Sequence, residues 1–519
     1  MSFNFPTSKP KNRKDYYIQR SIEILPGIIT WSFLIGSFYL AFKAPIVIAI
    51  FIIIFDLYWM VKVFYITVFV IFGYRRIKIW EKIDWIGKCE EVGNQSQVSG
   101  TRSLALISNW RDLYHLIIIP TYEEETEILE TTLDSILNSD YPKDRMIIAM
   151  AFEERAGDKA IERAKILEEK YKDKFFGYLT TLHPDGIAGE AKVKGANASW
   201  AAEEARIFLD EKKIKYENVV VSTFDSDTCV HQKYFSCLAY QFMTNPKRLQ
   251  CSYQPLPLYN NNIWQTNSIV RVIMTRSSFW QIMQSVRYNK MVTFSSHSMS
   301  FKTLVDVDYW PRDIISDDSI IFWKCYLLYH GDYFVEPIFL TVSLDAVLAS
   351  SHIKTVFNLY KQQRRWAWGI ENVPIIYRAF LKDKKIPLRK KISKAWEELI
   401  GRISWGVTPI IIALFGWLPL WFGGDLFNQT VLALNLPKVL GYLMTFAMFG
   451  LIVSMFLSLF LLPPPPHKIS FLKKVIMIFQ WILAPMVAIP LGALPMIDAQ
   501  TRMLLGKYME FWVTEKVRK

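Results

Sequence analysis

Cysteine is scarce in this chain of 519 residues, which has five. The five are widely spaced and form no CxxC pair: Cys89, Cys229, Cys237, Cys251 and Cys325. This excludes a small disulfide scaffold and is typical of a reducing compartment. Two nucleotide-binding patterns are also absent, the P-loop and a GxGxxG that follows a strand. The sequence therefore favours neither a P-loop ATPase nor a dinucleotide enzyme.

Apolar residues are abundant, at 51% of the chain, and many lie in long runs near both ends. A bilayer-spanning helix needs about 20 apolar residues. Five stretches approach this length: 26–42, 46–72, 405–423, 437–462 and 475–494. Basic residues precede the first stretch and follow the second, which places both flanks in the cytosol. We predict a multi-pass protein of the plasma (inner) membrane whose central part is cytosolic.

Two features of the predicted spans leave alternatives open. Pro485, Pro490 and Pro495 interrupt the last span, so a broken or re-entrant helix could return the C-terminus to the cytosol. Asp56 and Lys62 lie within the second span. Either Asp56 faces protein while Lys62 reaches the headgroups, or the two residues line a pore.

The distribution of charge and hydropathy divides the chain into seven parts. They are a basic cytosolic N-terminus (1–25), two transmembrane helices (26–72), a linker or interfacial helix (73–104), an α/β domain (105–380), an amphipathic interfacial helix (381–404), about three transmembrane segments (405–494) and a basic tail (495–519). The amphipathic helix begins in a run of lysines that suits an anionic membrane surface.

The central part has the alternating pattern of an α/β domain. Short β-rich runs at 115–120, 146–152, 176–182 and 219–224 alternate with helical patterns at 124–137, 159–171 and 191–212. Alternation of this kind indicates a mostly parallel sheet with right-handed crossovers.

Polar and charged residues follow the predicted strands, where ligands of such sheets bind. The first, second and fourth strands are followed by Thr121, Tyr122, Glu123, Glu153, Glu154, Asp225 and Asp227. One acidic turn is commonly a helix cap, but three on one rim repel unless a cation lies among them. Mg²⁺ or Mn²⁺ would bind there through oxygen ligands, together with phosphate. The turn-rich stretch 183–197 is a candidate loop for binding a nucleotide substrate, with Lys194 and Asn197 as the contacts.

Two further motifs lie downstream. Ser316, Asp317 and Asp318 precede an apolar helical run, where a helix cap is the simplest interpretation. In the sequence QQRRW, Gln362, Arg365 and Trp366 share one helix face. This face could hold a phosphate and a sugar ring, or could be an interfacial helix with Arg and Trp at the headgroups.

The succession PTYEE, DSD, SDD and QQRRW resembles the membrane-integrated family 2 glycosyltransferases, which include cellulose, chitin and hyaluronan synthases. The resemblance covers nearly the whole chain, and QxxRW is its most specific element. It implies a GT-A-type cytosolic α/β domain with a mostly parallel sheet, flanked by transmembrane helices at both ends. It also implies a nucleotide-diphosphate sugar as donor and a divalent cation, Mg²⁺ or Mn²⁺, as cofactor.

The resemblance also implies roles for single residues. Asp225 would contact the donor, Asp227 the metal, and Asp318 would be the general base; Gln362 and Arg365 would hold the diphosphate, and Trp366 the acceptor. His297 is either a further acceptor contact or a structural histidine. Glu153 or Glu154 stands where the family usually offers Asp to the base of the nucleotide, and Ser-Asp-Asp replaces Thr-Glu-Asp.

We therefore expect an inverting, metal-dependent transfer of sugar to a growing polysaccharide, processive and coupled to export. The alternatives are a single addition to a lipid-linked acceptor and a non-catalytic membrane scaffold. The expected partners are the donor, a saccharide or lipid-linked acceptor, the bilayer and an export partner, with no nucleic acid. The sequence does not identify the sugar.

Overall fold

The computed structural model of the chain describes residues 5–8, 10, 12–98, 109–465 and 470–510. The predicted boundary at 104/105 and the last nine residues of the predicted tail lie outside them. The described strands are β1 (Tyr114–Pro120), β2 (Met146–Glu153), β3 (Gly177–His183), β4 (Val219–Thr223), β5 (Cys229–Val230), β6 (Cys251–Leu258), β7 (Ser298–Ser300) and β8 (Phe334–Ser343).

Nineteen α-helices are described along the same parts of the chain. They are α1 (Arg13–Lys43), α2 (Pro45–Trp80), α3 (Trp85–Val98), α4 (Thr126–Leu137), α5 (Asp158–Tyr171), α6 (Lys194–Glu211), α7 (Tyr234–Thr244), α8 (Ser268–Val286), α9 (Phe301–Asp306), α10 (Asp317–Leu328), α11 (His352–Ala367), α12 (Asn372–Lys382), α13 (Leu388–Leu414), α14 (Leu418–Phe422), α15 (Gly424–Asn428), α16 (Val431–Phe460), α17 (Phe471–Phe479), α18 (Leu483–Ala488) and α19 (Leu494–Leu504).

The eight strands form one sheet in the order β3-β2-β1-β4-β7-β6-β8-β5. The first four are parallel to one another, as the sequence predicts, and Ile117 of β1 lies opposite Ile148 of β2. The short strand β7 is antiparallel to both β4 and β6, and β5 is antiparallel to β8. Mixed pairing therefore begins at β7, and the carboxyl ends of the parallel strands share one rim.

Burial on both faces explains the apolar runs of the parallel strands. All eight residues of β2 are buried, as are six of the seven in β1. One hydrophobic cluster packs α4, α5 and α7 on one face of the sheet, and a second packs α6 and α10 on the other. Strands enclosed by helices on both sides read as continuous hydrophobic segments instead of alternating ones.

Five segments are long and apolar enough to cross a membrane: Arg13–Lys43, Pro45–Trp80, Leu388–Phe422, Val431–Phe460 and Phe471–Leu504. Each contains or overlaps one predicted span. The helix that starts at Leu388 continues to Leu414, across the predicted boundary at 404/405. Asp56 is buried in α2, whereas the Lys62 ammonium lies 4.1 Å from the centroid of the Trp59 ring. The burial favours the interpretation in which Asp56 faces protein.

The last apolar segment is broken, as its prolines predict. It passes from α17 through a 3₁₀ turn to α18, and through a π turn at Ile489–Ala493 to α19. The end of α19 lies beside the start of α1, because Arg20 Nη1 donates to the carbonyl of Met503 at 2.6 Å. Residue 504 therefore lies on the side of the bundle from which α1 starts.

Candidate functional site

Three charged side chains meet beyond the carboxyl ends of the parallel strands. Asp225 lies two residues beyond β4, in a turn closed by the Thr228 amide on the Asp225 carbonyl at 2.9 Å. Asp318 lies in the first turn of α10, and Lys194 is the first residue of α6. The Lys194 ammonium joins the two carboxylates, at 2.7 Å from Asp225 Oδ1 and 3.1 Å from Asp318 Oδ1.

The electrostatics of this cluster favour a charged lysine. Burial opposes the charge of Lys194, but the pKa of its ammonium is raised because Asp225, Asp318 and Asp317 outweigh that effect. Burial, followed by the charge of Asp318, raises the pKa of the Asp317 carboxyl to about 8. Lys194 therefore supplies part of the countercharge that the crowded carboxylates require.

Asp227 is more deeply buried than Asp225. Its side chain is fully buried, its Oδ2 accepts from the Asp345 amide at 2.9 Å, and its carbonyl accepts from Asn261 Nδ2 at 2.7 Å. No group of three or more metal-ligating side chains converges within the described parts of the chain. One or two carboxylates, completed by phosphate oxygens, suit Mg²⁺ or Mn²⁺, so Asp225 and Asp227 fit such an ion.

The helix that carries QxxRW faces the same cluster. Gln362 is buried, and the Trp366 ring lies 5.9 Å from the Tyr259 ring and 6.3 Å from the Phe294 ring, centroid to centroid. Burial raises the pKa of Tyr259; Asp225 and Asp227 raise it further, and Arg365 lowers it. Tyr259 thus lies within electrostatic reach of both the acidic turn and the QxxRW helix.

A small cleft lies at the ends of β2 and β3, and its lining includes Glu153, Arg155, His183 and Lys192. Arg155 forms an ion pair with Glu153 and places its guanidinium 4.4 Å from the centroid of the Tyr122 ring. An aromatic face, a cation and a carboxylate are groups that could hold a planar base.

Four other residues that were predicted to contact a ligand at this rim form hydrogen bonds within the protein. Thr121 Oγ1 donates to Glu124 at 3.0 Å, the Glu123 carbonyl accepts from Arg163 at 3.1 Å, and Glu154 accepts from the Asp185 amide at 3.0 Å. Asn197 is fully buried and donates to the Ala151 carbonyl at 2.7 Å. In this structure these contacts support the ends of β1 and β2, and Asn197 joins α6 to β2.

His297 lies beneath the cluster. It is fully buried, and its Nδ1 is 3.1 Å from the Phe294 carbonyl and 4.0 Å from Asp318 Oδ1. Its Nε2 has no hydrogen-bond partner among the described residues. Burial lowers the pKa of His297 to about 4, so the ring is neutral near pH 7.

The neutral ring predicts an acid-sensitive stability. Between pH 6.5 and pH 4 the unfolded chain binds a proton at His297 that the folded chain does not, so stability falls as the pH falls. The pKa difference corresponds to about 3 kcal/mol at full protonation. We expect the unfolding temperature of His297→Asn to fall less than that of the wild type between pH 7 and pH 4.5. The exposed His352→Asn is the control; equal slopes for all three proteins would contradict the prediction.

Sequence reasoning missed several residues that hold the acidic turn. Ser295 Oγ donates to Asp225 Oδ2 at 2.6 Å, and the Asp227 contacts come from Asn261 and the Asp345 backbone. Ser295 lies two residues before His297, which is the residue of this stretch for which a role was predicted. Asn261 and Asp345 follow β6 and β8 and carry no local pattern that would indicate a site.

Comparison with known sequences gives one family and two curated relatives. The family profile described as "Glycosyl transferase family group 2" matches residues 220–494. Two poly-beta-1,6-N-acetyl-D-glucosamine synthases of Staphylococcus epidermidis are each 26% identical, over 301 and 276 residues. The alignments cover 55% and 51% of this chain, and 62% and 57% of the relatives. The chain thus spans about three fifths of the length of these relatives.

Comparison with solved structures gives more distant similarities. Mannosyltransferase PcManGT from Pyrobaculum calidifontis, in complex with GDP-Man and Mn²⁺, is 14% identical; the match covers 88% of this chain and all of that chain, with a TM-score of 0.43. S. aureus TarS 1–349 with UDP-GlcNAc is 14% identical; that match covers 66% and 90%, with a TM-score of 0.30. Both TM-scores are below 0.5.

Proposed function

Because the chain belongs to glycosyl transferase family group 2, whose profile matches more than half of it, we propose that it catalyses an inverting, metal-dependent sugar transfer to a growing polysaccharide. The chain is a glycosyltransferase with a GT-A-type domain and apolar helices at both ends. We propose a nucleotide-diphosphate sugar as donor, Mg²⁺ or Mn²⁺ as cofactor and a saccharide as acceptor, with transfer coupled to export. The α/β domain would lie in the cytosol.

The observation that carries the proposal is the junction at Lys194. One ammonium contacts Asp225, which follows β4, and Asp318, which begins α10. One ammonium does not neutralise two carboxylates, so a diphosphate would bind at this rim together with a divalent cation. In the proposal Asp318, which would accept a proton, is next to Lys194, which would bind the donor.

We propose a separate role for each of the residues gathered at this rim. Lys194 and Arg365 would bind the diphosphate and stabilise the charge that develops on it as the anomeric bond breaks. Asp318 would accept the proton of the acceptor hydroxyl as that hydroxyl attacks from the opposite face, which inverts the anomeric centre. Trp366, with Tyr259 beside it, offers an aromatic surface for the acceptor sugar. A divalent ion at Asp227 would supply further neutralisation of the diphosphate.

The names of the curated relatives favour the processive form of the reaction and suggest the first donor to test. Both are synthases of a polymer of N-acetyl-D-glucosamine. We therefore take a nucleotide-activated N-acetylglucosamine as the first candidate donor. The five apolar segments would guide the product across the bilayer.

The experiment that tests the proposal measures release of nucleoside diphosphate by the purified full-length chain in lipid. A panel of sugar nucleotides is supplied with Mn²⁺, with Mg²⁺ or with a chelator. The proposal predicts release with at least one donor, loss of release with the chelator, and a ladder of polymer on a gel. A single lipid-linked sugar would support the single-addition alternative, and absence of release with every donor would contradict the function.

A further inference from the structure

Glu371 is a partly buried carboxylate to which sequence reasoning assigned no role. It ends the 3₁₀ turn Trp368–Glu371 that follows α11 directly. Its Oε1 accepts from both the amide and the hydroxyl of Ser316, each at 2.8 Å, and its Oε2 accepts from Trp368 Nε1 at 3.0 Å. One side chain therefore accepts hydrogen bonds from two different parts of the fold.

The two parts of the fold are the start of α10, which carries Asp318, and the turn after α11, which carries the QxxRW residues. Ser316 is the N-cap residue of α10 and stands two positions before Asp318. Glu371 stands five positions after Trp366, on a helical run that continues from α11. The neighbouring Asn372 joins the same junction: its Oδ1 lies 2.7 Å from Ser316 Oγ and shares the single hydroxyl proton with Glu371 Oε1, and its Nδ2 donates to Ser319 Oγ at 2.8 Å.

Electrostatics explain why a carboxylate suits this place. The first amides of a helix point away from it with a partial positive charge, so an acceptor of negative charge is favourable there. Burial raises the pKa of Glu371 to about 7, against the effect of the Ser316 donors, which lower it. A partly buried carboxylate with three donors is a strong but geometrically demanding connection.

We propose that Glu371 is a positioning residue, which fixes the start of α10, and with it Asp318, relative to the helix that carries Gln362, Arg365 and Trp366. This inference rests on the proposed function, because it assigns Asp318 and the QxxRW residues to one reaction. Glu371 would act through Ser316, and not by contact with the donor or the acceptor. Its effect is on the distance between the proton acceptor and the groups that hold the substrates.

The test compares turnover and donor binding in Glu371→Ala. A small displacement of a reacting group can lower a rate by about 10²-fold. We expect kcat to fall about 10- to 100-fold, while KM and Kd for the donor stay within about twofold of the wild type. Glu371→Gln retains an acceptor for Ser316 and should recover most of the loss. kcat is normalised to the number of donor-binding sites, so that a lower yield of folded protein does not imitate the effect.

The matched control is Asp140→Ala. Asp140 is also a partly buried carboxylate that accepts from a serine hydroxyl, Ser236 Oγ at 2.8 Å, but it lies between α4 and β2 at the other end of the parallel strands. Its kcat per donor-binding site should equal that of the wild type. Wild-type kcat in Glu371→Ala would overturn the inference while leaving the proposed function intact.

Hydrogen exchange gives a readout that does not depend on activity. The Ser316 amide donates directly to Glu371, and the Ser319 and Ile320 amides bind the Ser316 carbonyl. Glu371→Ala should therefore accelerate exchange at residues 316–320 and leave the Asp140 region unchanged. Unchanged exchange at 316–320 in Glu371→Ala would refute the connection, whatever the activity. Absence of donor turnover by the wild type would instead refute the proposed function.

Discussion

Asp318→Asn is expected to lower sugar transfer by about 10²–10⁴-fold, the usual contribution of a general base. The asparagine amide has the shape of the carboxylate but cannot take up the proton of an attacking hydroxyl. Its oxygen can still accept from Lys194, which contacts Asp318 Oδ1 at 3.1 Å. Folding and donor binding should therefore remain close to those of the wild type, and the loss should appear in kcat.

The measurement is polymer formation and nucleoside diphosphate release at saturating donor, together with donor affinity by calorimetry. Asp332→Asn is the matched control, because Asp332 follows the opposite end of α10 and forms an exposed ion pair with Lys247. It should behave as the wild type. Transfer by Asp318→Asn at the wild-type rate would show that another group accepts the proton.

The parallel half of the sheet was predictable because β1, β2 and β4 are enclosed on both faces. Such strands have runs of apolar residues, as in Val219–Val221, and the ends of all four parallel strands could be located within one residue. β8 contains the apolar run IFLTV at 338–342 but was not predicted, and the other three strands offered no such signal. β6 has the sequence CSYQPLPL, whose prolines argue against a strand, and β7 and β5 have three and two residues.

The same division applies to the candidate site. Motifs that directly follow a parallel strand or begin a helix could be placed from sequence alone, and the structure brings Asp225, Asp318 and Lys194 together. Ser295 precedes β7 and Asn261 follows β6, so both reach the acidic turn from the mixed half of the sheet. Contacts between residues that are 34 to 70 positions apart leave no periodicity in the sequence.

Lys194 is the residue whose removal should most affect donor binding. Its side chain is only 14% exposed, it contacts two carboxylates, and hydrogen bonds to charged groups contribute about 1.5–3 kcal/mol each. Lys194→Met would leave Asp225 and Asp318 as unopposed like charges and would remove an ammonium from the diphosphate. We expect the Kd for the nucleoside diphosphate to rise about 10- to 100-fold, which is the effect of one such contact.

Lys170→Met provides the control, because Lys170 lies at the end of α5, at the opposite end of the parallel strands, where it is exposed and pairs with Glu130 at 2.8 Å. An exposed pair of this kind contributes little, so its Kd should stay within about twofold of the wild type. Lys194→Arg keeps the charge and should show an intermediate loss, since the guanidinium must fit the space of an ammonium. Calorimetry with nucleoside diphosphate and Mn²⁺ distinguishes the three variants. Equal affinity in Lys194→Met and Lys170→Met would mean that the Lys194 ammonium serves only to keep Asp225 and Asp318 together. The donor would then be bound elsewhere on the rim.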